Sequence, residues 1–271
     1  MKERIQKVLA NAGVESRRHI EEMVLQGRIS VNGHIVTDLP VMVDPAKDRI
    51  EVDGEKIRLR ASEIGPKHYI IMNKPRRVYT TNVAQGDQKL AIDLLPEGFP
   101  RVYPVGRLEA EARGLLLLTD DGELTNQLTH PKYGIVKTYH IMIEGLVEDK
   151  TLDELREGVW LIDEHTKRGF RASLSHMKVI SRNTAKTVLE VTLKEAKNLG
   201  IRRILAKVGH KLQDVVRVKF GPLTLKGLAV GEWRPLTTRE VKELKHAVEK
   251  QGDRGEAKAE PKKINPKGRA R

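Results

Sequence analysis

Four consecutive leucines, at positions 115–118, stand between Gly114 and the turn-forming triplet Asp120-Asp121-Gly122. An apolar run this short, closed on both sides by residues that break regular structure, reads as a buried strand. It is far below the roughly 18–20 apolar residues needed to span a bilayer, and no other segment reaches that length. HYIIMNKP opens with a second such run. TYHIMIEG, KTVLEVTLK and VVRVKFGPLTL also read as strands, the middle one by clean alternation. ELTNQLTH and residues 199–208 have helical character, as does the stretch from Thr238 to Lys250 with Val241, Leu244 and Val248 on one face. Strands intermixed with helices in this way predict an α+β fold built on a mixed sheet.

The core of such a fold must be mostly aliphatic, because aromatic residues are only 4% of the 271. Lys and Arg total 50 against 37 Asp and Glu, a formal charge of +13. That excess points to a polyanionic partner, nucleic acid before an acidic membrane. Cysteine is absent, which excludes disulfides, thiolate metal sites and a cysteine nucleophile. The nine histidines include no close pair of metal-ligand spacing, so no metal motif is read. The charged N-terminus has no signal-peptide pattern, and the expectation is a cytoplasmic protein with no membrane contact.

The first 60 residues predict two helices and a small sheet. Ile5, Val8 and Leu9 share a helical face that ends near Gly13, and Ser16 suits the N-cap of a second helix closed by Gly27. Asn32-Gly33 and Asp53-Gly54 each interrupt an alternating segment, the signal of a tight hairpin. Residues 61–67 read as a linker, 68–250 as the second domain and 251–271 as a disordered basic tail. Adjacent arginines at a helix start make a good phosphate site, since backbone N–H groups and guanidinium charge converge there.

GVESRRHIEEMVLQGRISVNGHIV, followed by DRIEVDGEKI, resembles the S-four-type RNA-binding module. The resemblance implies an RNA-facing surface carrying Ser16, Arg17, Arg18, Arg28 and Asn32. The remainder carries YIIMNKP, RVYPVGRLEAEARGLLLLTDDGEL, LTHPKYGIVKTYHI, NLGIRRILAKVGH and GEWRPLT in order. This order resembles the RsuA-type ribosomal pseudouridine synthases, which carry the same small module. The resemblance implies isomerisation of a uridine in ribosomal RNA to pseudouridine, without metal or organic cofactor, by a monomer. A carboxylate attacks the nucleotide, an arginine orients it, and an aromatic ring stacks on the extruded base. By the same resemblance these roles fall to Glu109, Arg202 and Tyr139, with Lys74 and Arg107 among the RNA contacts.

The sequence departs from that family at the chemistry. Glu109 stands where the family has Asp, Ala112 where it usually has Thr, Leu199-Gly200 where it usually has Arg-Gln, and Arg76-Arg77 where a Gly usually follows NKP. One added methylene moves a carboxylate by about an ångström, a displacement that can cost ~100-fold in rate. Glu111 lies two residues along the same loop as an alternative carboxylate. Two expectations follow: an active synthase, or a non-catalytic descendant that binds ribosomal RNA, for instance in ribosome assembly.

Overall fold

The computed structural model describes residues 2–57, 66–163, 166–193 and 199–256. The chain divides into two compact units, residues 1–66 and 67–271. The linker expected at 61–67 lies largely outside the described residues.

The first unit contains β1 (Glu3–Arg4), α1 (Ile5–Asn11), α2 (Arg17–Leu25), β2 (Ile29–Val31), β3 (His34–Val36), β4 (Met42–Val43), β5 (Ile50–Val52) and β6 (Glu55–Lys56). β1 pairs with β4, and the other strands form an antiparallel sheet in the order β3-β2-β5-β6. Ser16 caps α2 by accepting from the His19 N–H at 3.2 Å. Asn32, Gly33, Asp53 and Gly54 all have positive φ, the backbone of the predicted hairpin turns. Ile5, Val8 and Leu9 from α1, Ile20 and Val24 from α2, and Ile29 from β2 close one aliphatic core.

The second unit runs β7 (Tyr69–Lys74), β8 (Tyr103–Pro104), β9 (Arg113–Thr119), α3 (Gly122–Thr129), β10 (Lys137–Glu144), α4 (Asp149–Glu157), β11 (Val159–Ile162) and β12 (Gly169–Ala172). It continues with β13 (Met177–Arg182), β14 (Lys186–Leu193), α5 (Leu199–Lys207), β15 (Leu212–Phe220), β16 (Leu223–Thr224), β17 (Trp233–Pro235) and α6 (Thr238–Glu256). Nine strands form one sheet, its main path β13-β14-β10-β15-β9-β7-β17, with β16 beside β15 and β8 beside β9. Among the described strands of this sheet only β9 and β15 pair in parallel, so the sheet is mixed and the fold is α+β.

The leucine run fills β9 as predicted, and its alternation explains why all four are apolar. Leu115 and Leu117 pack with Ile71, Leu124, Phe220 and Leu244 on one face. Leu116 and Leu118 pack with Ile70, Met72 and Val102 on the other. A strand covered on both faces has no polar side to show. The closing helix α6 runs to Glu256, past residue 250 where the sequence places the start of the tail. Extending a formed helix adds one hydrogen bond per residue fixed, so it proceeds without apolar periodicity. The remainder of that tail lies outside the described residues.

Candidate active site

One register line crosses the sheet beneath the loop that carries Glu109. Lys74 on β7 pairs with Gly114 on β9, Gly114 with Arg217 on β15, Arg217 with Tyr139 on β10, and Tyr139 with Val191 on β14. Gly114 has φ +108°, and a Cβ there would sit 2.4 Å from the Arg217 carbonyl oxygen. No other residue type lets β9 and β15 approach this closely.

The loop before β9 is pinned on both sides of Glu109. The Thr80 hydroxyl donates to the Leu108 carbonyl and accepts from the Leu108 N–H, each at 3.1 Å. The Ala110 carbonyl accepts from the Arg77 N–H at 2.8 Å and from Lys74 Nζ at 3.2 Å. The Ala112 N–H closes a turn onto the Glu109 carbonyl at 3.1 Å. Where the loop enters β9, Arg113 holds Asp214 through Nε at 3.0 Å and Nη2 at 2.5 Å. Arg76 reaches the other oxygen of Asp214 at 2.7 Å and the Gln213 carbonyl at 2.9 Å. Burial pushes the Asp214 carboxyl up, but hydrogen bonds from both arginines outweigh it and hold it below its ordinary value. Arg76, a departure from the family pattern, thus becomes half of a clamp on the loop.

Lys74 is not an RNA contact. Its side chain is fully buried, and its ammonium donates to the carbonyls of Pro75, Val78 and Ala110 at 2.9, 2.8 and 3.2 Å. An ammonium has three donors, and all three are used inside the protein. Burial, with Arg217 nearby, pushes its pKa down to about 8, while Glu111 acts in the opposite sense. Lys74 therefore anchors the loop from below.

Glu109 itself is exposed on the wall of an open cleft of about 610 Å³, shared with Arg107, Tyr79, Thr81, Gln85 and Gln88. Glu111 is exposed too. Tyr139 is 1% exposed, packed with Leu108, Ala112 and Ile201. Stacking a base on its ring requires the loop or α5 to move. The departure at Ala112 is therefore also part of this packing. Arg202 lies exposed on α5, and among the described residues it makes no ion pair with Glu109. A larger cleft of about 790 Å³ lies elsewhere, between the β11–β12 hairpin and α5, lined by Arg168, Arg171, Arg203 and His176. Neither Glu109 nor Glu111 borders it, so the smaller cleft is the candidate for carboxylate chemistry. Among the described residues no group of His, Asp or Glu could hold a metal ion. No described helix is long and apolar enough to cross a membrane.

In the first unit, Arg17 and Arg18 are exposed at the start of α2. The other residues of that face serve the protein's own turns. Arg28 grips Asp53 at 2.8 and 2.6 Å. Asn32 donates to Asp48 at 3.0 Å and accepts from the Arg49 N–H at 2.9 Å. The sequence reading missed Thr80, Arg113 and Asp214, whose importance appears only when three distant segments meet.

Comparison with known proteins agrees with this architecture. The RNA pseudouridylate synthase family matches residues 68–207 and the S4 domain matches residues 3–50. An "Uncharacterized RNA pseudouridine synthase" of Aquifex aeolicus (strain VF5) is 39% identical over 92% of this chain and 96% of its own. The "Ribosomal large subunit pseudouridine synthase B" of Bacillus subtilis (strain 168) is 37% identical over 90% of this chain and 96% of its own. A crystal structure of a pseudouridylate synthase superposes with a TM-score of 0.59 at 26% identity, covering 89% of this chain and 99% of that one. With its S4 RNA-binding domain, its mixed-sheet second domain and these relatives, the chain belongs to the RNA pseudouridylate synthase family.

Proposed function

We propose that this protein converts a uridine of large-subunit ribosomal RNA to pseudouridine, with Glu109 as the attacking carboxylate. The observation that carries the reading is the placement of Glu109. It is exposed on an open cleft while the backbone on both sides of it is pinned by Thr80, Lys74 and Arg77. A carboxylate on a fixed backbone loses little freedom when a nucleotide arrives. The S4 domain supplies phosphate contacts through Arg17 and Arg18, and Arg107 draws the substrate strand toward the cleft. Arg202 orients the carboxylate, and Tyr139 stacks on the extruded base, once α5 has moved aside while the pinned loop stays in place. The chemistry asks for no metal or organic cofactor.

The same placement bears on the longer side chain. Glu109 reaches about an ångström further than the family's aspartate, and the Arg76–Asp214–Arg113 clamp fixes the loop from which it reaches. The test is pseudouridine mapping on ribosomal RNA incubated with purified protein. Glu109→Gln keeps the size and removes the charge, so formation should fall at least ~100-fold. Glu109→Asp should retain the reaction. Activity surviving in Glu109→Gln would move the nucleophile to Glu111. A second reading, a family member that binds ribosomal RNA without modifying it, draws on the absence of a Glu109–Arg202 ion pair among the described residues. Wild-type protein forming no pseudouridine on any ribosomal RNA would establish that reading instead.

A further inference from the structure

We propose that the cleft beside Glu109 reads the base of the nucleotide next to the target uridine through the side-chain amides of Gln85 and Gln88. The inference rests on the reading of Glu109 as the carboxylate at the target ribose. Both glutamines line the cleft that Glu109 borders. Among the described residues neither amide has a hydrogen-bond partner, Gln85 is exposed and Gln88 half-buried. Each amide offers a donor and an acceptor on one planar group, the arrangement that pairs with the edge of a nucleobase.

The segment that presents them is closed at its base. The Tyr79 N–H donates to the Lys89 carbonyl and the Ala91 N–H to the Tyr79 carbonyl, both at 2.9 Å. Thr81 folds onto Val83 through its hydroxyl, and Gly86, with φ +62°, turns the chain between the two glutamines. The same segment starts at Thr80, whose hydroxyl holds both polar groups of Leu108. The amides and the carboxylate are therefore carried on two segments tied to each other.

The two sides of the carboxylate loop differ in kind. Leu108 and Ala112 turn inward onto Tyr139, into a dry aliphatic cluster. The Gln85–Gln88 side is open, with Tyr79 38% exposed and Arg107 also lining the cleft. A target base that stacks on Tyr139 goes to the first side. The adjoining nucleotide is left to the second, with Arg107 for its phosphate and Tyr79 for its ring face. The ligand class is thus an unpaired base in RNA, and the consequence is a preference for sequence context.

The experiment measures equilibrium binding of full-length protein to single-stranded RNAs of about twelve nucleotides, within the roughly 4–16 that such sites span. Each contains one target uridine at a fixed position, and each flanking position is varied through all four bases. Wild type should prefer one base at one flanking position by about tenfold, the size of a good bidentate pair. Gln85→Leu/Gln88→Leu should bring the four bases within about twofold while leaving the salt dependence unchanged, because no phosphate-binding group is removed. Gln85→Glu and Gln88→Glu, taken singly, exchange the donor for an acceptor. The variant at the reading position should shift the preference toward cytosine, whose amino group is the donor a carboxylate accepts. Circular dichroism checks that each variant is folded. Equal affinities in wild type, or a preference that survives the double leucine variant, would overturn the proposal. Binding needs no turnover, so the two readings fail separately. A protein that discriminates bases but makes no pseudouridine removes Glu109 as nucleophile and keeps the base-reading cleft. An active protein indifferent to both neighbours does the reverse.

Discussion

Three cationic side chains, Lys74, Lys137 and Arg217, are each no more than 6% exposed in the second unit. Lys137 Nζ and the Arg217 guanidinium both lie over the Phe220 ring, at 5.5 and 5.3 Å from its centre. Burial first, and Arg217 second, push both lysines down to about 8. The sign of the consequence is fixed by proton counting. Between about pH 8 and the ordinary lysine value of 10.5, the folded protein holds these amines neutral while the unfolded chain protonates them. Unfolding then takes up protons, so stability rises with pH across that window. Tyr69 acts oppositely. Burial and its hydrogen bond to Asp121 push the phenol upward, so above pH 10 only the unfolded chain loses that proton and stability falls. Melting temperature should therefore climb from pH 8 and turn over near pH 10. Lys74→Met should show a shallower climb, with only Lys137 left to drive it. A flat profile in wild type would mean that the two lysines are solvated.

The start of α6 shows what a helix owes to its first turn. The Glu240 N–H donates to the Thr237 hydroxyl at 3.2 Å, and Glu240 Oε2 accepts from the Thr237 N–H at 2.8 Å. This is a reciprocal capping box, and Arg234 on β17 adds two bonds to the same carboxylate at 2.9 and 2.8 Å. The Arg234 bonds lead in pulling Glu240 down to about 2 against burial, and Thr237 adds to them. Its contribution is fully present above the ordinary value of 4.5 and is lost as pH falls through about 2. Glu240→Ala should cost roughly 1–2 kcal/mol at neutral pH and flatten the acid limb of a denaturation curve between those values. Leu244 and Val248, which α6 lays into the core, should make that loss global rather than local. Elements whose signal is local were legible in this way. The leucine run gave β9, Asn32-Gly33 and Asp53-Gly54 gave their turns, and Ser16 gave the start of α2. The β11–β12 hairpin was not, because Trp160 and Ile162 face outward at 66% and 63% exposure and break the expected rule of apolar inside. Lys74 was misread for a related reason. Charge in a sequence suggests surface, and only the meeting of β7 with residues 78 and 110 supplies the carbonyls that let an ammonium be buried. The site was legible as a set of residue types. Its register line, from Lys74 through Gly114 and Arg217 to Tyr139, depends on strand order and could not be read from spacing.

At the scale of the whole molecule, the S4 domain and the synthase-family domain each close a core of their own. Ile5, Val8, Leu9, Ile20, Val24 and Ile29 have no exposed surface, and all belong to the first unit. The clusters around Ile141, Leu117 and Leu116 draw only on the second. A chain cut between them should therefore yield two folding pieces, since neither core loses a member. Residues 67–256 alone should melt cooperatively and keep the Glu109 cleft. Their affinity for ribosomal RNA should fall, because the exposed Arg17 and Arg18 leave with the first unit. The comparison that separates a specific grip from bulk charge is the full chain carrying Arg17→Ala and Arg18→Ala. Removing one arginine–phosphate pair should lower the log–log dependence of binding on salt by about 1. If those two arginines are the main phosphate ligands of the S4 domain, the double variant should reproduce most of the weakening seen on removing the whole unit. It changes net charge by only two, against a total of +13, so a large effect cannot come from charge alone. Were the double variant to bind like wild type while the cut chain binds weakly, the grip would belong to another face of the first unit. In either case the melting temperature of the double variant should be unchanged, because both side chains are exposed and neither belongs to the core.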